Sequence, residues 1–269
     1  MRTILLCLLL LLAAPATRAQ TPLVNAHAHN DYEHARPLRD ALDNGFCSVE
    51  ADIYLVDGEL LVAHDRDKVQ KGRTLQSLYL DPLRERVKRN GGRVYRGGPT
   101  VILLIDVKSD AAATWAVLKG VLARYQDILT RFTPDRTEKR AVTAIISGAR
   151  AVDAVAAEKV RYAGIDGRLS DLNGAAAPPS PHLYPLISDS WANFSMWRGA
   201  GPMPEADRRR LEEVVAKAHR GGYLLRFWAT PDTRESWAAF RAAGVDLINT
   251  DDLPGLRRFL TEAAQPVQK

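Results

Sequence analysis

Beyond the first nineteen residues the chain has one cysteine, Cys47, of two in the whole sequence. That excludes an internal disulfide and a thiolate metal site. In "GFCSVEAD" the thiol reads as a small buried hydrophobe. Glycine-rich phosphate loops are missing too. No GxGxxG or GxxxxGK turn follows a strand-like run, which removes the usual ligand of an open nucleotide-binding sheet. Charge of one sign is never concentrated. The longest basic run, Arg208-Arg209-Arg210, shares its segment with Glu212 and Glu213 and reads as a solvated helix face, with no nucleic-acid partner.

The chain also lacks a full-length membrane span. Its one long apolar run, in "MRTILLCLLLLLAAPATRAQ", falls short of the ~20 residues a span requires. Arg2 precedes the leucines and Thr17-Arg18-Ala19 follows them, the pattern of a signal peptide over residues 1–19 cleaved after Ala19. A retained anchor is the alternative. Cleavage leaves residues 20–269 as one domain, secreted or periplasmic, large enough to bury a sizeable core. Loss of Arg2 and Arg18, with no acid in the leader, lowers the formal charge from +5 to +3. The residual excess gives a weak attraction to anionic phosphate groups and allows transient contact with a membrane surface.

What is present is a rhythm. Eight strand-like runs recur, from "LVNAHAH" through "CSVEADIYL", "TVILLIDVK", "AVTAIISG", "RYAGIDGR", "LYPLISDS" and "YLLRFWAT" to "VDLINTDD". Helical segments separate most of them, several closed by glycine at the C-terminal position. The Pro- and Ala-rich "NGAAAPPSPH" after the fifth reads as a loop. Strands alternating with helices predict a parallel sheet, and eight of them predict an α/β fold of the closed (β/α)8 TIM-barrel type. An open doubly wound sheet is the alternative. Asp57-Gly58, between "EADIYLV" and "ELLVAHD", predicts a hairpin that folds back and brings His64 toward the barrel mouth.

Because the strands are mostly apolar, their polar exceptions are informative. Residues i and i+2 share a strand face. His27 and His29 do so on strand one, Glu50 and Asp52 on strand two, Asp106 and Lys108 on strand three, and Arg226 and Trp228 on strand seven. All lie near C-terminal strand ends, where barrel enzymes place their chemistry. Unpaired, three clustered carboxylates repel one another at low dielectric and require a cation. An all-oxygen set of Glu50, Asp52 and Asp106 favours one Mg2+ or Ca2+ over zinc. Alternatively, Lys108 neutralises one of them.

"AHAHNDY…PLRDALDNGFCSVEADIYLVDGELLVAHD" resembles the amino-terminal signature of the glycerophosphodiester phosphodiesterase-like barrels, part of the phosphatidylinositol-specific phospholipase C-like superfamily. "LLIDVK" is similar to that family's third-ligand strand and "RFWATPDTRESWAAFRAAGVDLINTDDLP" to its closing strand–helix–strand. The H-x-H-N-D-Y opening is most similar to the branch of the yeast altered inheritance of mitochondria six protein. The resemblance implies phosphodiester hydrolysis of a small-molecule or lipid substrate, with one divalent cation held by Glu50, Asp52 and Asp106. It implies an acid–base pair formed by the strand-one histidine and His64, with Lys108 on the phosphate and Trp228 lining the pocket.

The usual His-Arg-Gly opening is absent here, so a phosphate contact made by that Arg must come from elsewhere. The E-N-T motif that commonly follows is also absent, and the third ligand is Asp, as in the venom sphingomyelinase D branch. Counted back from Glu50, His29 lies nearer the spacing of the venom-type catalytic histidine, so the resemblance favours His29 over His27 in that role. His27, Asn30 and Arg226 then join Lys108 and Trp228 as substrate-binding residues. His34 is expected at the surface, and His182 and His219 carry no role. Two other classes compete. One is an amidohydrolase-like hydrolase with zinc on His27-x-His29, although no convincing histidine stands on strands four to six. The other is a barrel that binds without turnover.

Overall fold

In a computed structural model of the protein, residues 20–173 and 178–262 are described, and the eight apolar runs become eight parallel strands of one barrel. The expected leader, and residues 174–177 of the expected loop, lie outside the described residues. The strands are β1 (Leu23–Ala28), β2 (Phe46–Val56), β4 (Val101–Val107), β5 (Val142–Gly148), β6 (Gly164–Gly167), β7 (Leu186–Ser190), β8 (Leu224–Trp228) and β9 (Ile248–Thr250). Around the sheet they run β8-β7-β6-β5-β4-β2-β1-β9. A parallel bridge from Arg226 to Leu247 joins the two edges, which excludes the open-sheet alternative. No helix among the described residues is long and apolar enough to cross a membrane.

β3 (Glu59–Val62) pairs antiparallel with the end of β2, from Ile53 opposite Val62 to Val56 opposite Glu59. Asp57 (φ 49°) and Gly58 (φ 81°) both take the left-handed backbone that a tight two-residue hairpin requires. The Ala63 amide donates to the Asp52 carbonyl, so the segment entering His64 lies over β2.

Period-two alternation sorts each strand. Val49, Ala51 and Ile53 on β2 and Leu103 and Ile105 on β4 are buried in the main core beneath the helices. The interior face carries a separate small cluster of Leu104, Ile145, Leu186 and Leu247. Above that apolar floor the interior turns polar, with Glu50 in register with Leu104 and Asp52 with Asp106 one step higher. β8 is fixed in the same sense from outside. Phe227 meets Trp191 edge-on at 5.3 Å between ring centroids, and Trp191 meets Phe240 at 4.8 Å. Such pairs contribute about 0.5–1.5 kcal/mol each beyond burial. A one-residue slip would expel Phe227 and turn Arg226 out of the barrel. The Arg208-Arg209-Arg210 run pairs with Glu205, Glu212 and Asp207 on its own helix, Glu205–Arg220, as a solvated face should.

One glycine ties the fold directly to the site. Gly148 ends β5 at φ +66°, and a Cβ there would stand 1.9 Å from Asp106 Oδ1 and 2.4 Å from the Val107 carbonyl. Gly148→Ala is therefore expected to destabilise the barrel by roughly 2–4 kcal/mol through combined strain and clash. Gly58→Ala, also at positive φ but with nothing within 4 Å, should cost only about 1 kcal/mol. Urea denaturation of the two variants checks the order; equal losses would mean that the close approach at Gly148 does not matter.

Candidate active site

The polar interior is arranged in depth. His27 lies deepest, fully buried, with Nδ1 2.7 Å from Ser48 Oγ and Nε2 3.1 Å from Glu50 Oε2. Burial, reinforced by the Arg226 charge, pushes its pKa down to about 3, so the ring is neutral. A charged carboxylate only accepts, so Nε2 holds the proton and donates to Glu50 while Nδ1 accepts from Ser48. Arg226, 3% exposed, donates to Glu50 and also, at 2.7 Å, to Asn249 Oδ1. Burial would raise the Glu50 pKa, but Arg226 and His27 outweigh it and hold the carboxyl well below its usual range.

One expectation is corrected here. His27 does not line the cavity at the mouth; it is fully buried with both ring nitrogens bonded, and it supports Glu50. Arg226 does reach the cavity wall, and its guanidinium also bonds Glu50 and Asn249. The H-x-H pair does not converge on a common ion either. Among the described residues, the only group of three or more His, Cys, Asp or Glu placed to hold a metal is Glu50, Asp52 and Asp106.

The ligand oxygens of those three lie within 4.8 Å of one another. Lys108 Nζ sits 3.1 Å from Asp52 Oδ2 and 2.8 Å from Asp106 Oδ2. It thus neutralises two carboxylates while its flank lines the cavity, which extends the alternative reading of its role. Burial lowers the Lys108 pKa, but Asp106 and Asp52 outweigh it and hold the ammonium charged. The Tyr32 hydroxyl, 2.8 Å from both Asp52 Oδ2 and Asn30 Oδ1, completes that side. Even so, Oδ1 of Asp52 and Oδ1 of Asp106 are buried without a partner. Burial, with Glu50 and Asp106 close by, pushes Asp52 up to about 7, and burial raises Asp106 too. Unpartnered buried carboxylate oxygens are costly, and clustered hard oxygens of this kind fit a Mg2+ or Ca2+ ion.

At the mouth, a cavity of about 390 Å3 brings together His29, Asn30, Glu50, His64, Asp106, Lys108, Arg226 and Trp228; Asp52, in register with Asp106 but fully buried, does not line it. β1 ends at Ala28, so His29 stands one residue past the strand and Asn30 takes a left-handed turn (φ 47°). His29 Nδ1 is 2.9 Å from Asp251 Oδ1, and His64 Nδ1 is 3.1 Å from Asp65 Oδ1. Neither Nε2 is hydrogen-bonded among the described residues. Burial pulls the His29 pKa down, but the Asp251 hydrogen bond and the Glu50 charge outweigh it and raise it above 6.5. Trp228, 39% exposed, forms part of the rim.

Away from the cavity, His34 is half-buried with its Nε2 enclosed, not at the open surface. His182 bonds Thr137 and His219 bonds Asp246, neither near the mouth. A larger cavity, about 600 Å3, opens at the opposite end among Val24, Ile102 and Leu224; Thr137, His182 and Asp246 line it, and none of the residues at the mouth does. Sequence reasoning missed Asp251, two residues past Asn249, and Arg168, two residues past Asp166. The same i, i+2 alternation, applied to "INTDD" and "GIDGR", assigns both to the interior face but does not give their partners.

The AIM6-like phosphodiesterase domain family matches residues 16–165, and the glycerophosphoryl diester phosphodiesterase family matches residues 225–254. The altered inheritance of mitochondria protein 6 homolog of Arthroderma benhamiae is 28% identical, over 90% of this chain and 85% of its own. Altered inheritance of mitochondria protein 6 of Eremothecium gossypii is 30% identical, over 91% and 72%. A crystal structure of a glycerophosphodiester phosphodiesterase from Parabacteroides distasonis superposes with a TM-score of 0.54 at 14% identity, covering 92% of this chain and all of that one. One from Agrobacterium tumefaciens gives 0.52 at 15%, over 88% and 99%. The two structures support the shared barrel fold. With more than half of its length matched to one family, and a 30% identical relative covered over most of its length, the chain belongs to the AIM6-like phosphodiesterase domains.

Proposed function

We propose that the protein is an exported, metal-dependent phosphodiesterase that cleaves a glycerophosphodiester or phospholipid-type diester with His29 and His64 as its acid–base pair. One observation carries this reading: two histidines, each backed by a carboxylate at Nδ1 and unbonded at Nε2 among the described residues, border a cavity that is also lined by Glu50 and Asp106 of the three-carboxylate cluster. Glu50, Asp52 and Asp106 would hold the cation, which when bound supplies Lewis-acid neutralisation of charge on the phosphoryl oxygens.

The chain's own residues account for the proton transfers. The Asp251 hydrogen bond and the Glu50 charge favour the protonated form of His29, which suits it to donate from Nε2 to the leaving alkoxide. His64, on the hairpin that folds over β2, takes the proton from the attacking hydroxyl. When that hydroxyl belongs to the substrate itself, the first product is a cyclic phosphodiester; when it is water, cleavage is direct. His27 and Arg226 keep Glu50 charged beneath the reacting groups, and Trp228 packs against the headgroup.

His29→Ala and His64→Ala should each lower phosphodiesterase activity by roughly 10²–10⁴-fold, and the double variant should be little worse than either. His27→Ala should cost less, through Glu50. The assignment fails if His27→Ala is the inactive variant while His29→Ala works, and the hairpin has no part in catalysis if His64→Ala is unaffected.

A pH profile tests the direction of transfer. His29 has a raised folded pKa, so the stability from its Asp251 contact is fully present below about 6.5 and lost as pH rises through the folded value. As the acid it sets the alkaline limb of activity. Asp251→Asn should move that limb to lower pH and leave the acid limb in place. Movement of the acid limb instead would make His29 the base. For export, intact-mass measurement on protein from the native host should give an amino terminus near Gln20; a mass retaining residues 1–19 would contradict cleavage.

A further inference from the structure

The acidic wall of the cavity holds three carboxylates against two cations, Lys108 and Arg226, and both cations are bonded to those carboxylates. A diester phosphate entering the mouth therefore finds no uncommitted guanidinium on that side. The wall at the ends of β5 and β6 offers a guanidinium that is bonded through one nitrogen and little engaged at the other. Arg168, at the end of β6, lines the cavity with its side chain 24% exposed. Its Nη1 bonds Asp166 Oδ2 at 2.8 Å and the Gly167 carbonyl at 2.9 Å, whereas Nη2 has only a 3.5 Å contact with Ser147 Oγ.

Asp166 is fully buried and serves as the mount. The same Oδ2 accepts from Ser147 Oγ at 2.7 Å and Ser188 Oγ at 2.6 Å, while the Asp166 backbone carbonyl accepts from Arg150. A simple neutralising pair would bury the guanidinium with its carboxylate. Here two serines on neighbouring strands bond the same Oδ2 that pins Nη1, Oδ1 is buried with no hydrogen bond among the described residues, and Nη2 is left with its one long contact beside the cavity. Ser147 is in register with Asp106, so this edge stands close to the acidic cluster.

We propose that Arg168 is the phosphate-binding residue: its Nη2 edge grips a non-bridging oxygen of the scissile diester, and Asp166, Ser147 and Ser188 position it. The ligand class is an anionic phosphodiester, or inorganic phosphate at the same place. This rests on the phosphodiesterase reading. A planar guanidinium presents paired donors to phosphate that an ammonium cannot reproduce, so lysine should restore charge but not full affinity.

The test uses the full mature chain with Mg2+ and two readouts. One is calorimetric binding of inorganic phosphate, and the other is steady-state hydrolysis of bis(p-nitrophenyl) phosphate. Arg168→Gln should weaken phosphate binding and raise KM by roughly ten- to a hundredfold, the loss expected for charged hydrogen bonds, with a smaller change in kcat. Arg168→Lys should recover part of the loss. Ser188→Ala should raise KM by a lesser factor at unchanged melting temperature, as a positioning role requires. Phosphate affinity and KM unchanged in Arg168→Gln would overturn the proposal while leaving the phosphodiesterase reading intact. No hydrolysis by the unmutated chain, with phosphate binding still lost in Arg168→Gln, would overturn that reading and leave Arg168 as the anion site. Failure of the unmutated chain to bind phosphate would overturn the proposal outright.

Discussion

Glu50 sits at the bottom of the polar interior as a buried carboxylate that stays charged, and it can do so only because Arg226 and His27 donate to it. Breaking such a buried pair by removing one partner costs several kcal/mol, so the position of β8 and the register of β1 follow from it. The charge then propagates upward. Glu50 and Asp106 help burial to raise the Asp52 pKa, Lys108 bridges Asp52 and Asp106, and one oxygen of each remains without a partner. The cluster is held together by cations from below and from the side, and stays open toward the mouth.

That arrangement separates two kinds of histidine on one strand face. His27 sits where desolvation keeps an imidazole neutral, and it works as a donor to Glu50. His29, two residues on, has emerged far enough to meet Asp251, whose hydrogen bond, with the Glu50 charge, raises its pKa. His64 arrives from a different element, on the hairpin that the left-handed Asp57-Gly58 turn makes possible. The two histidines and the three carboxylates thus come from separate parts of the chain, and the barrel's C-terminal rim brings them together.

The strands were legible because parallel barrel strands have long apolar runs, and the hairpin because Asp57-Gly58 admits few other conformations. The acidic trio was legible because carboxylates on apolar strands are conspicuous. Depth was not. Period two tells which face a side chain takes, not how far below the rim it lies, so it does not reveal that His27 is buried against Glu50 and away from the cavity. Long-range partners were hidden for a different reason. Asp251 is 222 residues from His29 and meets it only because β9 closes the barrel beside β1. Arg168 looks like an ordinary arginine until Ser147, Asp166 and Ser188 are seen around it.

The central claim is that Glu50, Asp52 and Asp106 form a cation site that their supporting charges leave one divalent ion short. Calorimetric titration of Mg2+ and Ca2+ into the full mature chain and into Asp52→Asn tests it most directly. The account predicts one ion per chain, bound more than about tenfold more weakly in the variant, with the variant's melting temperature showing a folded barrel. Equal affinity and stoichiometry in the two proteins, or no binding to either, would contradict it.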